Sequence, residues 1–167
     1  GTYCGLTIRG GHVLMEPGTY FIQGDPMEIS RKATVTAEGV TIIFTGAGSY
    51  LRVNDQARFR LTAPTSGDLA GFALSETRDT SSKKGKKAVV SRLTGAGRLS
   101  MVGLIYLPTQ NFMVSGAGAG SQSSPLLQIV ANEISLRDSG LLKIDFKPGQ
   151  TSVPVLIAPS REARLVE

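Results

Sequence analysis

The first third of this chain repeats itself at an offset of about 21 residues, and this repeat limits the folds open to it. At that offset Ile8 meets Ile29, and the apolar triplet at 20–22 meets the triplet at 41–43. Each copy contains a short alternating strand, a turn, a second strand, a glycine and a third, mostly apolar strand. The repeat therefore predicts a structure built by stacking similar units.

Wider copies of the same unit continue along the chain. Their apolar segments fall at 50–53, 57–61 and 71–74, at 93, 99–101 and 103–107, and at 112–114 and 126–130. The third copy carries an insertion at 64–67. Shorter segments at 134–136, 142–146 and 153–157 are predicted as partial strands that finish the stack.

Units of three short strands without a helix cannot bury an apolar face alone, so they must stack on one another. We therefore predict one all-β domain over residues 1–167, a right-handed parallel β-helix (β-solenoid) of about five coils. A β-sandwich also has many short strands, but the internal repeat disfavours it. We expect aliphatic ladders inside the coils, formed by Ile8, Ile29 and Val53 and by Ile22, Ile43 and Leu74.

Composition excludes several kinds of protein. Cys4 is the only cysteine, which excludes an internal disulfide and a zinc cluster built on cysteines. No apolar run approaches the roughly 18 residues that span a bilayer, so we expect any signal peptide or anchor to lie outside these 167 residues.

Neither a catalytic residue nor a cofactor or metal site is predicted. The single histidine, His12, follows two glycines in a turn and has no visible acid or nucleophile beside it, which catalysis requires. Most carboxylates, such as Asp25 and Glu38, fall at turns. The glycine-rich segments at 95–97 and 116–120 lack the Lys-Ser/Thr of a phosphate-binding loop.

Two basic regions are candidate partner surfaces. Arg52, Arg58 and Arg60 are predicted to point outward and, with Asp55, to form a charged cluster. The segment 77–87 is predicted to be a mobile loop, and it supplies much of the net charge of +5. Its cations are Lys83, Lys84, Lys86 and Lys87. Because no aromatic residue is interleaved to stack a base, we predict no nucleic-acid partner.

Six segments of the chain, taken in order, resemble the C-terminal part of TadG-like proteins of the Flp (Tad) pilus system. They are YCGLTI at 3–8, PGTYFI at 17–22, EGVTI at 38–42, LTAPTSG at 61–67, GLIYLP at 103–108 and QIVA at 128–131. The resemblance extends to about residue 140.

This resemblance implies a bacterial envelope protein, anchored in the membrane by a helix outside this chain, with the present domain beyond the cytoplasmic membrane. Its implied partners are protein components of a pilus or secretion apparatus, and its implied role is assembly or adhesion without catalysis. Family members often carry a second cysteine before the segment equivalent to 128–131, where this chain has Pro125 and two leucines. The resemblance therefore does not imply a disulfide from Cys4.

Two alternatives remain open at the sequence level. Parallel β-helices often host carbohydrate chemistry, so the cluster around Arg58 and Arg60 is also consistent with binding or cleaving a surface glycan. A solenoid with bare ends is also consistent with a self-assembling scaffold that resembles the bactofilins.

Overall fold

Parallel strands stack coil upon coil in the computed structural model, which describes residues 1–78, 88–116, 120–121, 124–143 and 146–157. The predicted all-β parallel solenoid of about five coils is confirmed. In chain order the strands are β1 (Thr2–Tyr3), β2 (Leu6–Arg9), β3 (His12–Met15), β4 (Gly18–Gln23), β5 (Met27–Ser30), β6 (Thr34–Glu38), β7 (Val40–Thr45), β8 (Leu51–Val53), β9 (Arg58–Thr62), β10 (Phe72–Glu76), β11 (Val90–Thr94), β12 (Arg98–Ser115), β13 (Gly120–Ser121) and β14 (Leu127–Arg137).

Three sheets run along the axis of the solenoid. Sheet 1 contains β2, β5, β8, β11, the end of β12 and the end of β14. Sheet 2 contains β3, β6, β9, the start of β12 and β13. Sheet 3 contains β1, β4, β7, β10, the middle of β12 and the start of β14. The long strand β12 therefore passes through all three sheets.

The predicted ladder of Ile8, Ile29 and Val53 is confirmed in sheet 1. These residues pair in register on β2, β5 and β8, and all three are buried. The same inward column continues through Leu93 and Val114. Burying an aliphatic side chain stabilises a fold by roughly 1.5–3 kcal/mol, so this column is a main part of the core.

The second predicted ladder is wrong by one residue. In sheet 3 Ile22 pairs with Phe44, and Leu74 pairs with Ile42, whereas Ile43 lies between Phe21 and Ser75. The cause is the corner after β5, which is one residue longer than the corner after β2 and so shifts the offset of the following strands. A shift of one residue moves a side chain to the other face of its strand.

The end of the chain only partly follows the prediction. Residues 134–136 belong to β14, as expected, but the described residues of 142–146 and 153–157 form no strand. Instead the Gln128 side-chain oxygen accepts bonds from the backbone N–H groups of Leu156 and Ile157, both at 3.2 Å, and Val153 is buried. Pro148 and Pro154 lack the N–H that a ladder requires, which explains why this segment docks without pairing.

The corners between sheets 1 and 2 share one backbone conformation. Two successive residues adopt the left-handed region at Arg31–Lys32, Asp55–Gln56 and Gly95–Ala96, with φ between 52° and 65°. Each turn is closed by a backbone bond, such as Ala57 N–H to Asn54 C=O at 2.9 Å. The N–H of Gln56 also donates to the C=O of Gly95 at 3.2 Å, so neighbouring corners bond to one another.

One buried polar network interrupts the apolar interior. The Ser91 hydroxyl accepts a bond from the Leu51 N–H at 3.0 Å and donates to the Gln110 carbonyl at 2.8 Å. The Gln110 amide then donates to the C=O of Ser49 at 3.1 Å. Ser91 and Gln110 are fully buried, so every one of these bonds replaces a bond to water.

The left-handed conformation of Ala96 predicts how a glycine at this corner changes stability. Ala96 has φ 65°, and a left-handed conformation costs a residue with a Cβ about 1 kcal/mol. Ala96→Gly should therefore raise the free energy of unfolding by up to about 1 kcal/mol in denaturant titration. Ala57→Gly is the control, because Ala57 is buried at the equivalent corner without a positive φ, and it should lower stability. Destabilisation by both variants would contradict the argument.

The buried network makes a second prediction. Gln110→Met keeps the volume of the side chain but leaves the Ser91 hydroxyl and the Ser49 carbonyl without their partner. The free energy of unfolding should fall by about 1–3 kcal/mol, which is the cost of a buried polar group left unpaired. The exposed Gln23 on β4 is the matched control, since Gln23→Met should change stability by less than about 0.5 kcal/mol. Equal effects of the two variants would show that the network contributes little.

Candidate functional site

The predicted cluster of Arg52, Asp55, Arg58 and Arg60 is divided between two sheets. Arg52 lies on β8 in sheet 1, whereas Arg58 and Arg60 lie on β9 in sheet 2. Asp55 lies in the left-handed corner that joins the two strands. The four residues therefore do not form one surface, because the corner turns the chain between Val53 and Arg58.

Two arginines of sheet 1, Arg52 and Arg92, have side-chain partners. Arg52 lies 3.9 Å from the carboxylate of Glu28, which is its neighbour on β5. The guanidinium of Arg92 lies 5.6 Å from the centre of the Tyr50 ring, a cation–π geometry, and also approaches the Tyr50 hydroxyl at 3.5 Å. In sheet 1 these two cations are therefore paired with a carboxylate or packed on an aromatic ring.

Sheet 2 brings together a different set of cations. Register places His12, Thr34, Arg58 and Arg98 in one outward column across four successive coils. Arg60 stands in the next outward column, between Thr36 and Ser100. We name the exposed side chains His12, Lys32, Arg58, Arg60 and Arg98 the cationic face.

A groove of about 420 Å³ runs through this face. Its lining combines cations with short polar side chains, namely His12, Lys32, Thr34, Gln56, Arg58, Ala96 and Arg98. Within the part of the chain that the structure describes, the side chains of Arg58, Arg60 and Arg98 make no hydrogen bond or ion pair. Their donors therefore point to solvent.

These positive charges repel one another and lower the stability of the protein when no partner is bound. Arg58 and Arg98 are directly opposite on neighbouring strands, about 4.8 Å apart in the sheet. Like charges at such positions destabilise a sheet by roughly 0.2–1 kcal/mol. Among the described residues, the carboxylates of Glu38, at the far end of β6, and of Asp55, in the corner, stand at the margins of this face.

Sequence reasoning identified Arg58 and Arg60 but missed Lys32 and Arg98, and it gave His12 no role. These residues are far apart along the chain and meet only through the register of successive coils. A signal was available, because aligning Leu99 with Phe59 in the repeat would have placed Arg98 beside Arg58.

The other proposed surface, formed by Lys83, Lys84, Lys86 and Lys87, lies outside the described residues. These lysines belong to the segment 77–87, which begins directly after β10 in the connection between β10 and β11. At its near end the Thr77 N–H donates to the Phe44 C=O at 3.0 Å, and the Thr77 hydroxyl donates to the same oxygen.

The described part of the chain contains no group of three or more His, Cys, Asp or Glu side chains placed to hold a metal ion. Cys4 is exposed and carries a free thiol. No helix among the described residues has the length and hydropathy needed to cross a membrane.

Comparisons with protein-family models, with curated proteins and with solved structures find no match. The resemblance to TadG-like proteins therefore stays a prediction. The site offers cationic donors and hydroxyl groups on the outward side of a parallel sheet.

Repulsion on the cationic face predicts that removing one charge stabilises the protein. Arg98→Thr should raise the free energy of unfolding by roughly 0.2–1 kcal/mol, since threonine favours strands and no ion pair is lost. The gain should shrink at high salt, which screens exposed charges. Arg52→Thr is the control and should give no gain, because it removes the partner of Glu28. Denaturant titrations at two salt concentrations measure both, and a loss of stability in Arg98→Thr would contradict this account.

Proposed function

We propose that this domain is a non-catalytic interaction module of a bacterial envelope protein involved in Flp/Tad pilus assembly or surface adhesion. The single observation that carries the interaction role is the cationic face, where three arginines on neighbouring strands stand opposite or beside one another with their donors free. A protein gains nothing in stability from that arrangement, so a partner is its best explanation.

Rigidity of the solenoid supports the same role. Each outward column is fixed by hydrogen-bonded register on both sides, so the backbone positions that carry the arginines are regularly spaced before any partner arrives. A backbone that is already ordered reduces the entropy lost on association. A stack of coils is therefore suited to act as a spacer and as a surface for docking.

The envelope assignment depends on the resemblance of six ordered segments to TadG-like proteins. It implies a location outside the cytoplasmic membrane, with pilus or secretion components as partners. Nothing in the proposal requires a reaction at the surface.

Cleavage of a glycan is less well supported than binding. Glycoside hydrolysis usually requires two carboxylates that flank the scissile bond. The carboxylates near the cationic face, Glu38 and Asp55, stand at opposite margins, one at the end of β6 and one in the corner. A binding role is therefore favoured, and the scaffold alternative stays a prediction.

Affinity capture tests the pilus assignment. The full-length protein carries a tag in its native cell, and envelope fractions are solubilised and analysed by mass spectrometry beside an untagged strain. We expect enrichment of pilin or secretion subunits, together with recovery of the protein in the envelope fraction. Recovery in the cytoplasm, or an envelope protein without any pilus component, would contradict the proposal.

A further inference from the structure

The positions that carry positive side chains on the cationic face are regularly spaced. Arg58 and Arg98 are on adjacent strands, about 4.8 Å apart, and Arg58 and Arg60 are two residues apart on one strand, about 6.6 Å. Lys32 extends the positive groups towards the first coils, and His12 lines the same groove. The positive side chains are therefore arranged both along a strand and across neighbouring strands, parallel to the solenoid axis.

The chemistry of these side chains favours anionic groups that accept two hydrogen bonds at once. A guanidinium presents a fixed fork of N–H donors that matches a carboxylate or a phosphate through two parallel hydrogen bonds. Thr34, Thr36 and Ser100 stand in the same columns and supply hydroxyl groups between the charges. Hydroxyls both donate and accept, so they suit the hydroxyls of a sugar.

The shape of the face selects an extended ligand. Its outward columns lie on a sheet and its groove runs across four coils, from His12 to Arg98. A chain that carries one carboxylate on each repeating unit meets several cations at once, which raises its affinity above that of a single unit.

Other polyanions fit less well. The outward positions of sheet 2 at 12, 14, 34, 36, 38, 58, 60, 62, 98, 100 and 102 include no Phe, Tyr or Trp to stack a nucleic-acid base. A sheet face also lacks a projecting helix or ribbon that enters the major groove of a duplex. Leu14 is the one large aliphatic side chain that is strongly exposed there, which is too little to insert into a bilayer.

We propose that the cationic face binds a linear acidic polysaccharide of the polyuronate class, with Arg58, Arg60 and Arg98 pairing its carboxylates. Lys32 and His12 extend the contact across the first coils, and the hydroxyls of sheet 2 bind the sugar hydroxyls. This inference depends only on sheet 2 and holds whether or not the protein belongs to a pilus system.

Calorimetric titration of the full chain with polygalacturonate tests the proposal, with neutral dextran as the control ligand. We expect binding to polygalacturonate that weakens as salt rises, because the contacts are exposed and ionic, and no binding to dextran. Arg58→Gln combined with Arg98→Gln should weaken binding at least about tenfold, since two charged hydrogen-bonding groups are lost.

Matched variants distinguish binding by the cationic face from attraction by the net charge of the protein. Arg9→Gln combined with Arg52→Gln removes the same charge from sheet 1 and should change the affinity less than about twofold. Arg58→Lys combined with Arg98→Lys keeps the charge but loses the planar fork. Its affinity for polygalacturonate should therefore lie between those of the two double glutamine variants. Circular dichroism and denaturation midpoints confirm that each variant is folded.

Several results would overturn the proposal. Equal weakening by the sheet 1 and sheet 2 variants would show that only net charge attracts the polymer. Tighter binding to oligothymidylate or to phosphatidylglycerol vesicles than to polygalacturonate would assign the face to nucleic acid or to a membrane. No binding to polygalacturonate at low salt would also overturn it, and it would leave the outcome of the pilus capture untouched.

Discussion

The structure depends on in-register hydrogen bonding between each coil and the next. Parallel pairing fixes which side chains of a strand point inward, and the same choice is then imposed on the equivalent strands above and below. Ile8, Ile29 and Val53 form a buried column for this reason. The same constraint sorts the outer surface, because outward residues of equal register become neighbours. The alignment of Arg58 with Arg98 follows directly from it.

Alternation and the repeat were sufficient to predict the fold class, the ladder of sheet 1 and the positions of most strands. They failed in sheet 3, where Ile22 lies over Phe44 and not over Ile43. The reason is local, since the corner at Arg31 and Lys32 is longer than the corner at Gly10 and Gly11. Strand alternation carries no information about the length of a corner, so an error of one residue enters there and persists through the following strands.

In the candidate site too, strand alternation predicts some features of the surface and misses others. The outward direction of Arg58 and Arg60 follows from alternation within β9. Arg52 was grouped with them because alternation points all three arginines outward, but the turn at Asp55 and Gln56 places Arg52 in another sheet. Arg98 and Lys32 were missed because register alone brings such distant positions together. A binding surface on a solenoid is therefore a property of the stack, and a motif search within one coil does not detect it.

The network of Ser91 and Gln110 has a consequence for how the chain selects its native pairing. Successive coils are similar, so a strand displaced by a whole coil still places aliphatic residues against aliphatic residues and loses little apolar burial. Displacement of Gln110, however, separates its amide from the Ser49 carbonyl and its carbonyl from the Ser91 hydroxyl. Each separated group is then buried without a partner, which costs about 1–3 kcal/mol. The hydrophobic pattern alone leaves the correct arrangement and the misaligned stacks nearly equal in free energy. The two hydrogen bonds of Gln110 distinguish them.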